Sequence, residues 1–416
     1  MRILRAAVVG AGAMGGGIAQ VIASAGIPVW VKDIDPGQLD AARLHVRGIY
    51  QRHLDRGRIT ASEMQGKLGL IEYTLSYEGF ESVDIAIEAV PEVMSIKRVV
   101  LAELNEVCHP GAVFASNTSA LSITEMGAAS GRPHKMIGLH FFNPAHVMKL
   151  VEIIPCAETD QDTVHTVERF SRELGKIPVI VRECPGFLVN RLLMPYLGEA
   201  VRCLQEGASR VDEIDAAMGR AGFGWPMGPF ALMDMLGLDV CHHIMAYLGE
   251  QYGQRMEEPA LMHTLLDAGR RGEKNGRGFY DYPGRKPSPE VDDLLLALRQ
   301  GGGSGDLCST FSADRLMARL LNEAFLCVEE GVASVQDVDL ACIAGLGMQI
   351  KTGADLRGIG PLEYADDIGL DAILDTLQGL EAQFGCRFRP AAILEQKVKA
   401  GEWGKVSGVG FLERRV

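Results

Sequence analysis

The sequence predicts an α/β protein: a Rossmann-type, doubly wound N-terminal domain followed by two homologous all-α domains. Three observations lead there. Short apolar segments alternate with helix-period segments through the first part of the chain, a glycine-rich turn joins the first strand to the first helix, and one helical stretch occurs twice in the second half. Strands that are apolar almost throughout are those covered on both faces, and their alternation with helices means a parallel sheet.

Residues 5–9 form the first strand, 15–25 a helix closed by Gly26, and 28–33 the second strand. Asp35 and Pro36 supply an N-cap and a first-turn proline for a long helix running to Gly57. Thr60-Ala61-Ser62-Glu63 is a capping box that opens another helix. Further strands are expected at 83–90, 112–116, 136–141, 150–154 and 177–181. After Cys184-Pro185-Gly186 strand signals fade, and 187–206 has the apolar spacing of a helix.

The domains expected are 1–184 for dinucleotide binding, 185–284 for a first helical copy and 308–416 for a second. Between the copies, 285–307 reads as a flexible linker, on Pro283 to Pro289 and Gly301-Gly302-Gly303-Ser304-Gly305. The repeat is in register over long stretches. Asn190-Arg191-Leu192 falls on Asp314-Arg315-Leu316, Glu199-Ala200 on Glu323-Ala324 and Asp215 on Asp339. After a modest insertion at 351–359, Gly228-Pro229-Phe230 matches Gly360-Pro361-Leu362, Gly237-Leu238-Asp239 matches Gly369-Leu370-Asp371, and Gly276-Arg277-Gly278-Phe279 is echoed by Gly408-Val409-Gly410-Phe411.

Bulk properties narrow the function. The 416 residues, 47% hydrophobic and 23% charged, have the composition of a soluble globular protein of two or three domains. A net charge of -13 argues against nucleic-acid binding, which is driven by Lys and Arg, and means that any anionic ligand must meet a local basic patch. Nine cysteines, odd in number and without a C-x-x-C pair, argue against a disulfide framework or a metal site and fit a reducing compartment. No run is long enough to span a membrane, and Arg414-Arg415-Val416 carries no peroxisomal or retention signal, so the cytoplasm is the expected location.

Gly10-Ala11-Gly12-Ala13-Met14-Gly15 lies between a strand and a helix, with a second strand after them, which is the context a dinucleotide-binding loop requires. The glycines let the backbone turn tightly and approach a pyrophosphate seated on the helix N-terminus. Asp33, ending the second strand, stands where a carboxylate accepts hydrogen bonds from the adenosine ribose. A carboxylate there repels a 2'-phosphate, so NAD is expected rather than NADP, with Lys32 beside it pulling the other way. The alternatives are glycines that serve close helix–strand packing alone, and FAD.

Polar residues that periodicity does not explain gather in three places: Ser116-Asn117-Thr118-Ser119 at one strand end, His140 at another before Phe141-Phe142-Asn143-Pro144, and Glu152 inside an apolar strand. In an open α/β sheet the strand C-termini face the cofactor crevice, and histidine exchanges protons near neutral pH. Singly, His140 reads as a satisfied structural histidine and Glu152 as a salt-bridged acid; their combination with a strand-end serine favours a site.

Segments 116–121, 140–152 and 185–191, with Gly228-Pro229-Phe230 and Gly276-Arg277-Gly278-Phe279-Tyr280, resemble the signature segments of the L-3-hydroxyacyl-CoA dehydrogenase family. The doubled C-terminal domain resembles the dehydrogenase portion of the multifunctional fatty-acid oxidation enzymes, without a hydratase domain. The resemblance implies NAD-dependent, reversible oxidation of a 3-hydroxyacyl-CoA in β-oxidation. It puts the catalytic histidine on His140, its partner carboxylate on Glu152, and substrate-contacting Ser and Asn on Ser119 and Asn190. Cofactor contacts fall on Glu92, Lys97 and Asn117 as well as on Gly10, Gly12, Ala13, Met14, Gly15 and Asp33.

In this scheme His140 is the base that takes the hydroxyl proton, Glu152 orients it, and Ser119 and Asn190 position the hydroxyl. The competing readings are a first-turn helix residue for Glu92, a solvated face residue for Lys97 and a helix cap for Asn190. Arg56 and Arg58, with Arg52 and Lys67, are the candidate contacts for the CoA phosphates, against a plain solvated face. Single-copy relatives resemble dimers formed through the helical domain, so the second copy is expected to be non-catalytic and to pack on the first, giving a monomer or weak homodimer. A separate enoyl-CoA hydratase is a possible partner. Rival functions are a dehydrogenase of a free hydroxy acid, as in the gulonate dehydrogenase and lambda-crystallin group, and a non-catalytic paralogue.

Overall fold

A computed structural model describes residues 1–300, 311–353 and 355–412. The Gly301 to Gly305 part of the expected linker and the terminal Arg414-Arg415-Val416 lie outside the described residues. The chain divides into two compact units, Met1–Phe187 and Leu188–Val416.

The first unit runs β1 (Ala6–Val9), α1 (Ala13–Ser24), β2 (Val29–Lys32), α2 (Pro36–Asp55), α3 (Ala61–Leu68), β3 (Ile71–Thr74), β4 (Ile85–Glu88), α4 (Met94–Val107), β5 (Val113–Ser116), α5 (Ile123–Ala129), β6 (Met136–Phe141), β7 (Leu150–Pro155), α6 (Gln161–Glu173) and β8 (Ile177–Ile180). The expected caps are present: the Asp35 side chain accepts from Gly37 N, and Thr60 and Glu63 form a reciprocal capping box. Eight strands make one sheet in the order β3-β2-β1-β4-β5-β6-β7-β8. Strands β1, β4, β5 and β6 are buried throughout, between helices on both faces.

Two features depart from expectation. The edge strand β3 was not foreseen, because Glu72, Tyr73 and Thr74 are only partly covered and show no apolar run. The sheet is also mixed rather than wholly parallel: β6 and β7 are antiparallel, and β8 runs parallel to β7. The reason is chain length. Residues 142–149 joining β6 to β7 contain no helix, and a parallel crossover needs a dozen residues or more.

The second unit runs α7 (Val189–Gln205), α8 (Val211–Met218), α9 (Pro229–Leu236), α10 (Leu238–Tyr252), α11 (Ala260–Asp267), a short hairpin of β9 (Tyr280–Asp281) and β10 (Lys286–Pro287), α12 (Pro289–Gln300), α13 (Ala313–Glu329), α14 (Val335–Ala341), a second hairpin of β11 (Gln349–Thr352) and β12 (Asp355–Gly358), α15 (Pro361–Ile368), α16 (Leu370–Phe384) and α17 (Ala392–Lys399). The segment expected to be a flexible linker is structured as far as Gln300. Ser288 and Val291 are buried, and Arg299 donates to the carbonyls of Leu204 and Gln205.

The duplication is physical as well as textual. In each copy a buried aspartate holds the start of a helix: Asp215 accepts from Phe230 N and Ala231 N, and Asp339 from Leu362 N and Glu363 N. A second buried aspartate holds the closing turn, Asp234 on Phe279 N and Tyr280 N, and Asp366 on Phe411 N and Leu412 N. The glycines of those turns are required by contact. A Cβ at Gly278 would lie 2.0 Å from Asp234 Oδ1, and one at Gly410 2.1 Å from Asp366 Oδ1.

Helix α13 packs along α7, so that each copy covers the other with the same residues. Arg191 pairs with Glu323 and Glu330 at 2.7 Å each, and Arg315 reciprocally with Glu199 at 2.5 Å and Glu206 at 2.8 Å. Arg387 adds a contact to Glu199 at 3.0 Å, as Arg255 does to Glu323 at 3.6 Å. Residue i meets j while the equivalent of j meets the equivalent of i, which is the pattern of a two-fold dimer interface.

Candidate active site

The hairpin reversal makes the catalytic candidates neighbours. In the β6–β7 ladder His140 lies directly opposite Glu152, so both side chains project from the same face. His140 Nδ1 and Glu152 Oε2 are 2.7 Å apart, with the side chains only 9% and 1% exposed. Buried together, the carboxylate fixes the imidazole's tautomer: Nδ1 carries the proton toward Glu152 and Nε2 keeps the lone pair. Phe142 and Phe187 lie tilted against the ring at centroid distances of 4.5 and 6.1 Å.

Strand β6 is held in place by the loop after β5. The Asn117 side-chain oxygen accepts from Phe141 N at 2.8 Å, next to His140, while Asn117 N donates to Glu88 O at 2.9 Å. Asn117, expected at the cofactor, is thus also a clamp on the residue after the histidine.

A buried charge network underlies the same loop. Lys97 donates to Glu88 at 2.7 Å and pairs with Glu92 at 3.1 Å. Ser116 Oγ donates to the other Glu88 oxygen at 2.6 Å, and Thr118 Oγ1 donates to Glu92 at 2.5 Å. Ser119 N and Oγ lie 3.0 and 3.4 Å from Glu92 Oε1. Lys97 is 1% exposed, which removes the solvated-face reading. Glu92 precedes α4 and its cap Val93, so it is not a first-turn residue either. Burial pushes the Glu92 carboxyl up, but Lys97 and the Thr118 and Ser119 donors outweigh it and hold it below the ordinary glutamate value.

Sequence reasoning missed Glu88, for which a lone acid ending an apolar strand was the available signal, and it singled out the segment holding Thr118 without giving that residue a role. It also missed Glu183, which accepts from Ser122 Oγ at 2.6 Å and Thr124 N at 3.1 Å, and so pins the start of α5.

The glycine loop fits a dinucleotide. Gly10 adopts φ +101° and lies so close to β4 that a Cβ would meet Ala89 O at 2.5 Å. A Cβ on Gly15 would meet Gly10 O at 1.8 Å. At Gly12, by contrast, the space a side chain would fill is open. Helix α1 starts there with no side-chain cap and no acid in its first turn, so its N–H groups and partial positive charge face that space. Ala13 is exposed and Met14 half-buried beside it. Asp33 accepts from Ala11 N at 2.7 Å and Asp35 N at 3.0 Å, tying the loop to the end of β2. Lys32 is buried with its ammonium 4.3 Å from the centre of the Tyr77 ring, packed away rather than offered to a 2'-phosphate.

Asn190 is the second residue of α7, in the other unit; Leu188 occupies the N-cap position, so the cap reading of Asn190 does not hold.

The model of the 3-hydroxyacyl-CoA dehydrogenase NAD binding domain matches residues 5–184, and that of the family's C-terminal domain matches twice, over 186–282 and 311–414. The chain belongs to the 3-hydroxyacyl-CoA dehydrogenase family. Its first domain is accordingly an NAD-binding domain. Among solved structures, 3-hydroxybutyryl-CoA dehydrogenase of Escherichia coli K12 is 28% identical, covering 96% of this chain and all of that one with a TM-score of 0.85. (S)-3-hydroxybutyryl-CoA dehydrogenase of Ralstonia eutropha is 38% identical, covering 68% of this chain and 99% of that one with a TM-score of 0.65. The dehydrogenase part of a multifunctional enzyme from C. elegans shares the fold at 24% identity, over 95% of this chain and 90% of that one, with a TM-score of 0.66. Among the described residues, no helix is long and apolar enough to cross a membrane.

Away from the glycine loop, the first unit carries a basic patch. Arg52 lies in α2, Arg56 caps its C-terminus, and Arg58 follows Gly57; all three are exposed. Burial and then these arginines lower the His53 pKa. His146 is lowered too, by burial first and then by Arg52, His45, His53 and Lys176. Lys67, expected in the same cluster, is engaged elsewhere, donating to Ser24 O at 2.8 Å.

Proposed function

We propose that this chain oxidises the 3-hydroxyl of an (S)-3-hydroxyacyl-CoA to the 3-ketone, reversibly and with NAD+ as acceptor. The observation that carries the reading is the buried His140–Glu152 pair at 2.7 Å across two adjacent strands of the NAD-binding domain. Bound NAD+ supplies the hydride acceptor. His140 Nε2 takes the proton from the substrate hydroxyl, so that charge on oxygen never develops fully. Glu152 keeps the ring in the tautomer that leaves Nε2 free of a proton, and its carboxylate stabilises the imidazolium that follows. In a site this dry the attraction is weakly screened.

Ser119 positions the hydroxyl, with Glu92 and Thr118 fixing the loop that bears it. A role for Asn190 rests on the family resemblance. The glycine loop and Asp33 receive the dinucleotide, the open space at Gly12 taking the pyrophosphate. The 3-hydroxybutyryl-CoA dehydrogenases among the similar structures favour a CoA thioester over a free hydroxy acid. The test is NADH formation at 340 nm from (S)-3-hydroxybutyryl-CoA, with the (R) enantiomer as control. Equal rates with both, or none with either, would remove the reading.

The CoA phosphates are assigned to Arg52, Arg56 and Arg58, and the neighbouring histidines give the assignment a pH signature. His53 and His146 are held neutral to a lower pH than ordinary histidine because burial and added positive charge oppose protonation. An anion on the patch relieves that opposition, so binding takes up protons and tightens as pH falls through the histidine range. CoA affinity measured by calorimetry is expected to rise between pH 8 and pH 6 on the order of several-fold. An Arg56→Gln/Arg58→Gln variant is expected to bind about tenfold more weakly. A variant with unchanged affinity and pH dependence places the phosphates elsewhere.

The second helical copy occupies, within one chain, the interface that two subunits would otherwise share. Light scattering is expected to give the mass of a single chain; a stable dimer contradicts this.

A further inference from the structure

Two histidines and a glutamate meet in the first helical copy, where the mechanism has no use for them. His242 projects from α10, His263 from α11, and Glu258 lies in the turn between these helices. Glu258 bridges the two rings: one oxygen is 2.7 Å from His242 Nδ1 and the other 3.2 Å from His263 Nε2. The rings stand edge to face with centroids 4.5 Å apart. One ligand atom from each residue lies within 4.8 Å of the other two. Tetrahedral zinc with bonds of about 2.0–2.1 Å separates its ligands by roughly 3.3 Å, so small rotations of the rings suffice to close on an ion.

The second copy shows that the helical scaffold does not need this cluster. With α10 matched to α16 and α11 to α17, the three positions correspond to Leu374, Pro390 and Glu395. The same backbone is built there without either histidine. Burial argues the same way. Glu258 has a side chain only 7% exposed, and burial pushes its carboxyl up despite the His242 hydrogen bond, a setting in which a cation stabilises the carboxylate. His263, 66% exposed, leaves the site open to solvent on one side.

We propose that His242, Glu258 and His263 bind a divalent transition metal of the zinc class, tying α10 to α11. Two neutral imidazoles and one carboxylate form a donor set for zinc, cobalt or nickel rather than for calcium or magnesium. The ion displaces the proton shared between His242 and Glu258, and water completes the fourth position on the exposed side. The scattered cysteines play no part.

The test is titration of the chelator-treated full-length chain with cobalt(II), followed by its visible d–d absorption, with zinc as competitor. One equivalent is expected to bind and to be displaced by zinc. His263→Ala, at an exposed position, and His242→Leu, the residue the other copy carries, should each weaken binding about tenfold or more while leaving NADH turnover unchanged. Zinc should raise the Tm of the parent chain and not of the variants. Absence of saturable binding, an affinity in the variants equal to that of the parent chain, or a thiolate-to-cobalt charge-transfer band would overturn the proposal.

Discussion

His140→Gln is expected to lower kcat for (S)-3-hydroxybutyryl-CoA oxidation by about 10³–10⁴-fold. Glutamine can fill the space and still reach Glu152, but it has no basic atom for the hydroxyl proton. The effect should be confined to chemistry. The glycine loop and Asp33 follow β1 and β2, which β4 and β5 separate from β6 in the sheet, so NADH affinity by fluorescence titration is expected to stay within about twofold of the parent. Glu152→Gln should behave similarly but less severely, about 10²–10³-fold, because the imidazole remains while its tautomer and the charge partner of the imidazolium are lost. The comparison is informative because the two residues are cross-strand partners joined by the side-chain hydrogen bond between Nδ1 and Oε2. A double variant should therefore be little worse than His140→Gln alone, since groups acting as one unit are not additive.

The second large effect is on stability. Glu199→Leu is expected to destabilise the second unit by about 3–5 kcal/mol, read as a fall in the denaturant midpoint. Glu199 is 1% exposed and accepts from Arg315 and Arg387. Burial alone would push its carboxyl up; Arg387 and Arg315 beside it reverse that and hold it below the ordinary value. Its removal leaves the Arg315 and Arg387 guanidinium groups sharing the partly exposed Glu206, at a buried interface beside the buried Arg319, and an excess of desolvated positive charge is costly. Glu206→Gln is the control. Its side chain is 25% exposed and Arg315 keeps Glu199, so the loss should be about 1 kcal/mol or less. If Glu199→Leu costs no more than that control, the reciprocal ion pairs do not hold the copies together.

Much of this was legible in the chain. Strand, glycine turn and helix between residues 5 and 33 announced the dinucleotide loop, because only such a turn demands Gly10 at positive φ and Gly15 against the Gly10 carbonyl. The register linking Arg191 with Arg315 and Glu199 with Glu323 was readable too, although not that each arginine reaches for the other copy's glutamate. What stayed hidden was set by tertiary context. Lys97 on a helix looks like any surface lysine until Glu88 is found beneath it. The β6–β7 reversal depended on noticing that residues 142–149 are too few for a crossover, and it is this reversal that puts His140 opposite Glu152. The edge strand β3 lacked an apolar pattern because much of it faces solvent.

The claim on which the rest depends is that the His140–Glu152 pair serves a CoA thioester rather than a free acid. The measurement is NADH oxidation by the unmodified protein with acetoacetyl-CoA and, at equal concentration, with free acetoacetate. The account predicts a kcat/KM for the thioester higher by about three orders of magnitude or more, since binding energy from the remote CoA portion is what orients the reacting carbon. Equal kcat/KM for the two, or preference for the free acid, would contradict it.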